Sequence, residues 1–150
     1  MELILWRHAE AEDTTPDMQR KLTDKGRKQS LRMADWLKER MPEDTRILVS
    51  PAMRTQQTAL ALGLQFTTLD ELAPGARPND ILHAAGWPDG EGTVLIVGHQ
   101  PTLGMVAARL LSDQHAYWSV KKGAIWWIAR RGRGGEAENI LRVAIAPEML

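Results

Sequence analysis

The chain of 150 residues contains no cysteine. That removes disulfides, zinc ribbons and thiol catalysis together, and it fits a reducing cytoplasm. Net charge is also missing: 19 Lys and Arg balance 19 Asp and Glu with the histidines neutral. A broad positive field of the kind that draws proteins to nucleic acid is therefore excluded, although a local basic pocket is not. Long apolar runs are absent too. The N-terminal Met-Glu-Leu-Ile-Leu-Trp is too short for a signal-peptide core and lacks a basic start. No segment approaches the roughly 20 apolar residues of a membrane span. These absences predict a cytoplasmic protein with neither a nucleic-acid nor a membrane partner.

What is present suits one globular domain over residues 1–150. A chain of this length buries roughly two thirds of its unfolded surface, enough for an unaided core. Leu3 to Trp6 reads as a strand buried on both faces. Thr23 then caps a helix that aligns Gly26, Met33, Ala34, Leu37 and Met41 on one side, with Pro42 at its end. Ile47 to Val49 is a second strand. Ser50-Pro51 supplies an N-cap and a first-turn proline for the next helix, which turns Ala52, Thr55, Ala59 and Leu62 inward. Phe66 to Leu69 is a third strand, and a short helix lies near Asn79 to Ala85. Thr93 to Val97 is the clearest buried strand. Pro101 starts a helix with Leu103, Val106, Ala107, Leu110 and Leu111 at helical spacing. Residues 124–129 and 140–145 form a terminal strand pair across an arginine- and glycine-rich turn at 130–135. This alternation predicts an α/β fold with three layers, α/β/α, around a mainly parallel sheet.

Three of the strands end in polar residues: Arg7-His8, Ser50-Pro51 with Arg54 just behind, and Gly98-His99-Gln100-Pro101. In a parallel sheet these ends face one edge, where ligands bind against helix N-termini. The only carboxylate nearby is Glu10, so the set is poor for a metal ion. It suits a dianion, because arginine forks and free helix N–H groups match phosphate oxygens. A histidine among cations has its pKa lowered, and a neutral imidazole is a nucleophile.

These residues resemble the motifs of the histidine phosphatase superfamily. Arg7-His8-Ala9 is similar to its Arg-His-Gly segment, with Ala9 in place of glycine. Leu22-Thr23-Asp24-Lys25-Gly26 resembles Leu-Thr-x-x-Gly. The run from Ser50 to Thr58 matches Ser-Pro-x-x-Arg-x-x-x-Thr, and Gly98-His99 is similar to the second histidine segment. The resemblance implies that His8 becomes phosphorylated while Arg7, Arg54 and His99 hold the phosphoryl oxygens, with no metal or organic cofactor. Ser50, Gln100 and Arg20 are the further candidates for binding substrate, surface charge being the alternative for Arg20.

Within the superfamily the chain looks most like the small SixA branch, which acts on phosphohistidine. Between Arg54 and His99, positions 55 to 98 leave room for 44 residues. A helix, a strand and a loop use nearly all of them, so capping insertion is minimal and the site should open widely. The implied partner is a phosphorylated protein, a histidine phosphotransfer domain being one candidate, or else a small phosphorylated metabolite. Glu71 is the candidate general acid, the alternative being a solvated loop charge. An alkoxide needs such an acid. Phosphohistidine with a protonated ring leaves as neutral imidazole and needs it less. The competing readings are a phosphomonoesterase and a non-catalytic module that binds phosphate-bearing proteins.

Overall fold

The computed structural model describes the backbone of residues 1–150 and the side chains of every residue other than 134. The elements run β1 (Glu2–Arg7), α1 (Asp24–Lys38), β2 (Arg46–Val49), α2 (Met53–Leu60), β3 (Thr67–Thr68), α3 (Pro78–Ala85), β4 (Thr93–Gly98), α4 (Thr102–Ser112), β5 (Ile125–Arg131) and β6 (Glu138–Ile145). They build one six-stranded sheet in the order β3-β2-β4-β1-β5-β6. Strands β3, β2, β4 and β1 run parallel to one another, β5 pairs antiparallel with β1, and β6 pairs antiparallel with β5.

Side chains alternate across a strand, and here each face finds its own helices. Leu3, Leu5, Val94 and Ile96 pack with residues of α3 and α4. Ile4, Trp6, Leu95 and Val97 pack with residues of α1 and α2 on the other face. The expected three layers are therefore present. Complete burial of such side chains contributes roughly 1.5–3 kcal/mol each, which makes β1 and β4 the rigid centre of the sheet.

Local chemistry sets the element ends. Thr23 caps α1, its side chain accepting from Gly26 N–H at 3.0 Å. The helix stops at Lys38, before Met41, which still packs on the same cluster. Ser50 does not cap α2. Its hydroxyl is committed to His99, Pro51 lies outside the helix, and Ala52 is the N-cap residue. Pro101 is likewise the cap of α4 and not its first residue. The third strand shrinks to Thr67–Thr68, paired with the last two residues of the short β2. The terminal strand β5 runs further than expected, so Arg130 and Arg131 pair with Asn139 and Glu138 instead of lying in the turn.

The segment between α4 and β5 is braced against β1 and α4. Trp6 Nε1 donates to Gly123 O at 3.0 Å, and Gly123 N–H donates to His8 O at 2.9 Å. Gly104, in the first turn of α4, meets the Trp118 carbonyl so closely that a Cβ would collide with this backbone oxygen. Replacing Gly104 with alanine should therefore cost about 1–3 kcal/mol. Chemical unfolding of Gly104→Ala checks this; unchanged stability would mean that the segment yields freely.

Candidate active site

The parallel sheet brings three strand ends side by side. His8 N–H donates to Gly98 O at 3.1 Å, and Ser50 N–H donates to Val97 O at 3.1 Å. His8 and His99 consequently face each other, with ring centroids 5.4 Å apart. Both are buried, as are Ser50 and Arg54.

Hydrogen bonds fix the ring orientations. His8 Nδ1 lies 2.7 Å from Ala9 O. A carbonyl only accepts, so Nδ1 carries the proton and Nε2 keeps its lone pair. Ser50 Oγ lies 2.7 Å from His99 Nε2 and also accepts from Ala52 N–H at 3.3 Å. Nε2 is the acceptor within reach of the Ser50 hydroxyl proton, and with that proton donated the His99 proton sits on Nδ1. Ala9 N–H donates to Thr58 Oγ1 at 3.1 Å. Ala9 is not among the residues with positive φ, so the methyl group in place of glycine meets no backbone strain.

The arginines are moored by one end. Arg7 Nη1 donates to Val120 O at 2.8 Å. Arg54 Nη1 donates to Asp17 O at 2.9 Å, and Nη2 to Asp17 Oδ2 at 3.2 Å. Among the described residues, the buried side-chain nitrogens without a partner are Arg7 Nε, Arg54 Nε and His99 Nδ1. Buried donors left unpaired cost about 1–3 kcal/mol each, and all three belong to this cluster. An anion with several acceptor oxygens would satisfy them together.

Burial, reinforced by neighbouring charges, keeps both rings neutral. Burial, aided by Arg54, Arg7 and Arg20 against the Ala9 bond, lowers the His8 pKa to about 4 from the ordinary 6.5. Burial, His8 and the arginines lower His99 to about 3, with Asp17 opposing.

The other residues marked out by sequence divide. Arg20 joins the cluster through Asp17, its Nη1 lying 3.4 Å from Asp17 Oδ1. Gln100 spends both ends of its amide on backbone, accepting from Gly104 N–H at 2.7 Å and donating to Trp118 O at 2.9 Å. It braces α4 against the segment before β5. Glu71 lies exposed in the 3-10 turn Asp70–Leu72, outside the hydrogen bonds that tie the site. Asp17 and Thr58 were missed. Asp17 stands three residues before Arg20, a spacing that suits an ion pair within one turn, and Thr58 closes the segment that begins at Ser50. A surface groove lined by Met41, Ile47 and Leu64 lies near the start of β2, away from these strand ends.

A sequence profile of the histidine phosphatase superfamily (branch 1) matches residues 3–74. The phosphohistidine phosphatase SixA of Escherichia coli K12 is 33% identical over 119 residues, covering 73% of this chain and 74% of that protein. A SixA homolog from Haemophilus influenzae is 32% identical over 131 residues, covering 77% and 80%. Among solved structures, the protein histidine phosphatase SixA complexed with tungstate superposes with a TM-score of 0.83 at 27% identity, covering 99% of each chain.

The lowered histidine pKa values carry a stability consequence. Between pH 6.5 and 5, above the main carboxylate range, the unfolded chain protonates these rings and the folded chain does not. Stability should fall by about 1–3 kcal/mol as pH drops through this window, and less in His8→Gln. Denaturant titrations at the two pH values measure it; a flat profile would contradict the neutral, buried rings.

Proposed function

The chain belongs to the histidine phosphatase superfamily, on its SixA branch, and is a phosphatase; from that premise we propose that it removes phosphate from phosphohistidine on a protein, with His8 as the nucleophile. The observation that carries this reading is the trio of unpaired buried donors on Arg7, Arg54 and His99, clustered with a histidine whose Nε2 is free. The related SixA structure was solved with tungstate, a tetrahedral oxyanion like phosphate.

In this reaction His8 Nε2 attacks the phosphorus in line with the substrate's P–N bond. That bond breaks, and the substrate imidazole leaves with the electron pair, neutral where the ring already carried a proton. Water next attacks the phosphorus of phospho-His8, whose P–N bond breaks to give inorganic phosphate and the original ring. In both steps the charge spreads over three equatorial oxygens, which Arg7 Nε, Arg54 Nε and His99 Nδ1–H are suited to receive. The arginines supply the positive charge a metal would bring, so the reaction needs no cofactor. Because neutral imidazole is a good leaving group, a general acid is dispensable. Histidine's reference pKa of about 6.5 makes a protonated leaving ring accessible near neutral pH.

Between Arg54 and His99 the chain holds only the rest of α2, β3, a 3-10 turn, α3 and β4, which leaves little chain for a cap and suits a phosphate presented on a protein surface; a histidine phosphotransfer domain is our candidate partner. We place the reaction in the cytoplasm. No described helix is long and apolar enough to cross a membrane, and the zero net charge gives nucleic acid no purchase.

Phosphate release should be measured in EDTA from a phosphohistidine protein and from p-nitrophenyl phosphate, with wild type beside His8→Ala. Wild type should clear phosphohistidine far faster than the ester, and His8→Ala should lose on the order of 10³-fold or more on both. A preference for the ester would point to a phosphomonoesterase and return attention to Glu71. Binding without turnover would leave only a recognition module.

A further inference from the structure

The phosphoryl chemistry above gives no task to Asp17, a carboxylate built into the arginine cluster. It comes from the 3-10 turn Asp17–Gln19, which packs on α2. Its main-chain carbonyl and Oδ2 both receive Arg54, at 2.9 and 3.2 Å, while Oδ1 faces Arg20 Nη1 at 3.4 Å. Arg20 is separately anchored, its Nε donating to Glu12 O at 2.8 Å. The Arg54 side chain is only 5% exposed and the Asp17 side chain 56%. A half-exposed anion thus reaches onto a buried cation of the phosphate site.

Arg7, Arg20 and Arg54 bring three positive charges, Asp17 removes one, and the two histidines are neutral. Two net positive charges face a phosphoryl group that carries about −1.5 to −2 at neutral pH. Without Asp17 the site would hold three. A surplus charge does little for chemistry once phosphate is bound, because it stabilises substrate, intermediate and product alike. It would instead retain the inorganic phosphate that each turnover leaves behind.

We propose that Asp17 limits the site's affinity for phosphate, sharing Arg54 and Arg20 with the bound anion so that product departs. The inference rests on the phosphatase reading of the same site. Holding Arg54 in place does not need the charge: the Asp17 carbonyl keeps Nη1, and an amide oxygen at Oδ2 would still accept from Nη2.

Asp17→Asn separates the two roles. Inorganic phosphate is the probe, measured by calorimetric titration and as an inhibitor of phosphohistidine turnover. The asparagine variant should bind phosphate about tenfold more tightly, since a like charge a few ångströms away has been removed. Its kcat should fall while KM falls with it, and the difference from wild type should narrow at high salt. Equal or weaker phosphate binding by Asp17→Asn, in a wild type that binds phosphate and turns over, would overturn this inference alone. A wild type that neither binds phosphate nor turns over would overturn the phosphatase reading with it.

Discussion

Three buried N–H groups without partners, on Arg7, Arg54 and His99, set the terms for the rest of this structure. Unpaired polar groups in a protein interior are unfavourable, and charged ones more so. The sheet offsets that cost. Strands β1 and β4 are buried along almost their whole length, and their ends are stitched together where the histidines emerge. Each site residue is then fixed at its far end: His8 by Ala9 O, His99 by Ser50, Arg7 by Val120 O and Arg54 by Asp17. The free ends are left for an anion that does not have to organise them.

The same arrangement suits an imidazole to the proposed role of nucleophile. Burial among guanidinium groups removes the proton that would otherwise block Nε2 near neutral pH. The cations that reinforce burial in keeping the ring neutral are also those suited to the phosphoryl oxygens. In the proposed reaction one set of charges therefore serves two tasks, and the carboxylate of Asp17 is paired with two members of that set.

Much of this was legible in the sequence, because the clustered histidines and arginines sit directly after apolar strands. Arg7-His8, Ser50 with Arg54, and Gly98-His99 were each visible as a buried run ending in polar residues, and a parallel sheet brings such ends together. The legibility fails where position is set by tertiary contacts. Asp17 comes from an irregular stretch between β1 and α1, and its proximity to Arg54 depends on how that stretch folds back over α2. The partner of Arg7 is a backbone carbonyl, at Val120, which no residue type reveals. Gln100 sits next to His99, yet its amide is consumed in bracing Gly104 and Trp118. Ser50 reads as a helix cap from its Ser-Pro sequence, but the ring of His99 takes its hydroxyl instead.

The account stands or falls on a covalent intermediate at His8. The most direct measurement is rapid quenching of the enzyme during turnover of a phosphohistidine protein, followed by mapping of the bound phosphoryl group under alkaline conditions. The account predicts an acid-labile, base-stable phosphate on His8 that forms and decays at rates compatible with turnover. Phosphate on another residue, or turnover with no phosphorylated enzyme at any time, would contradict it.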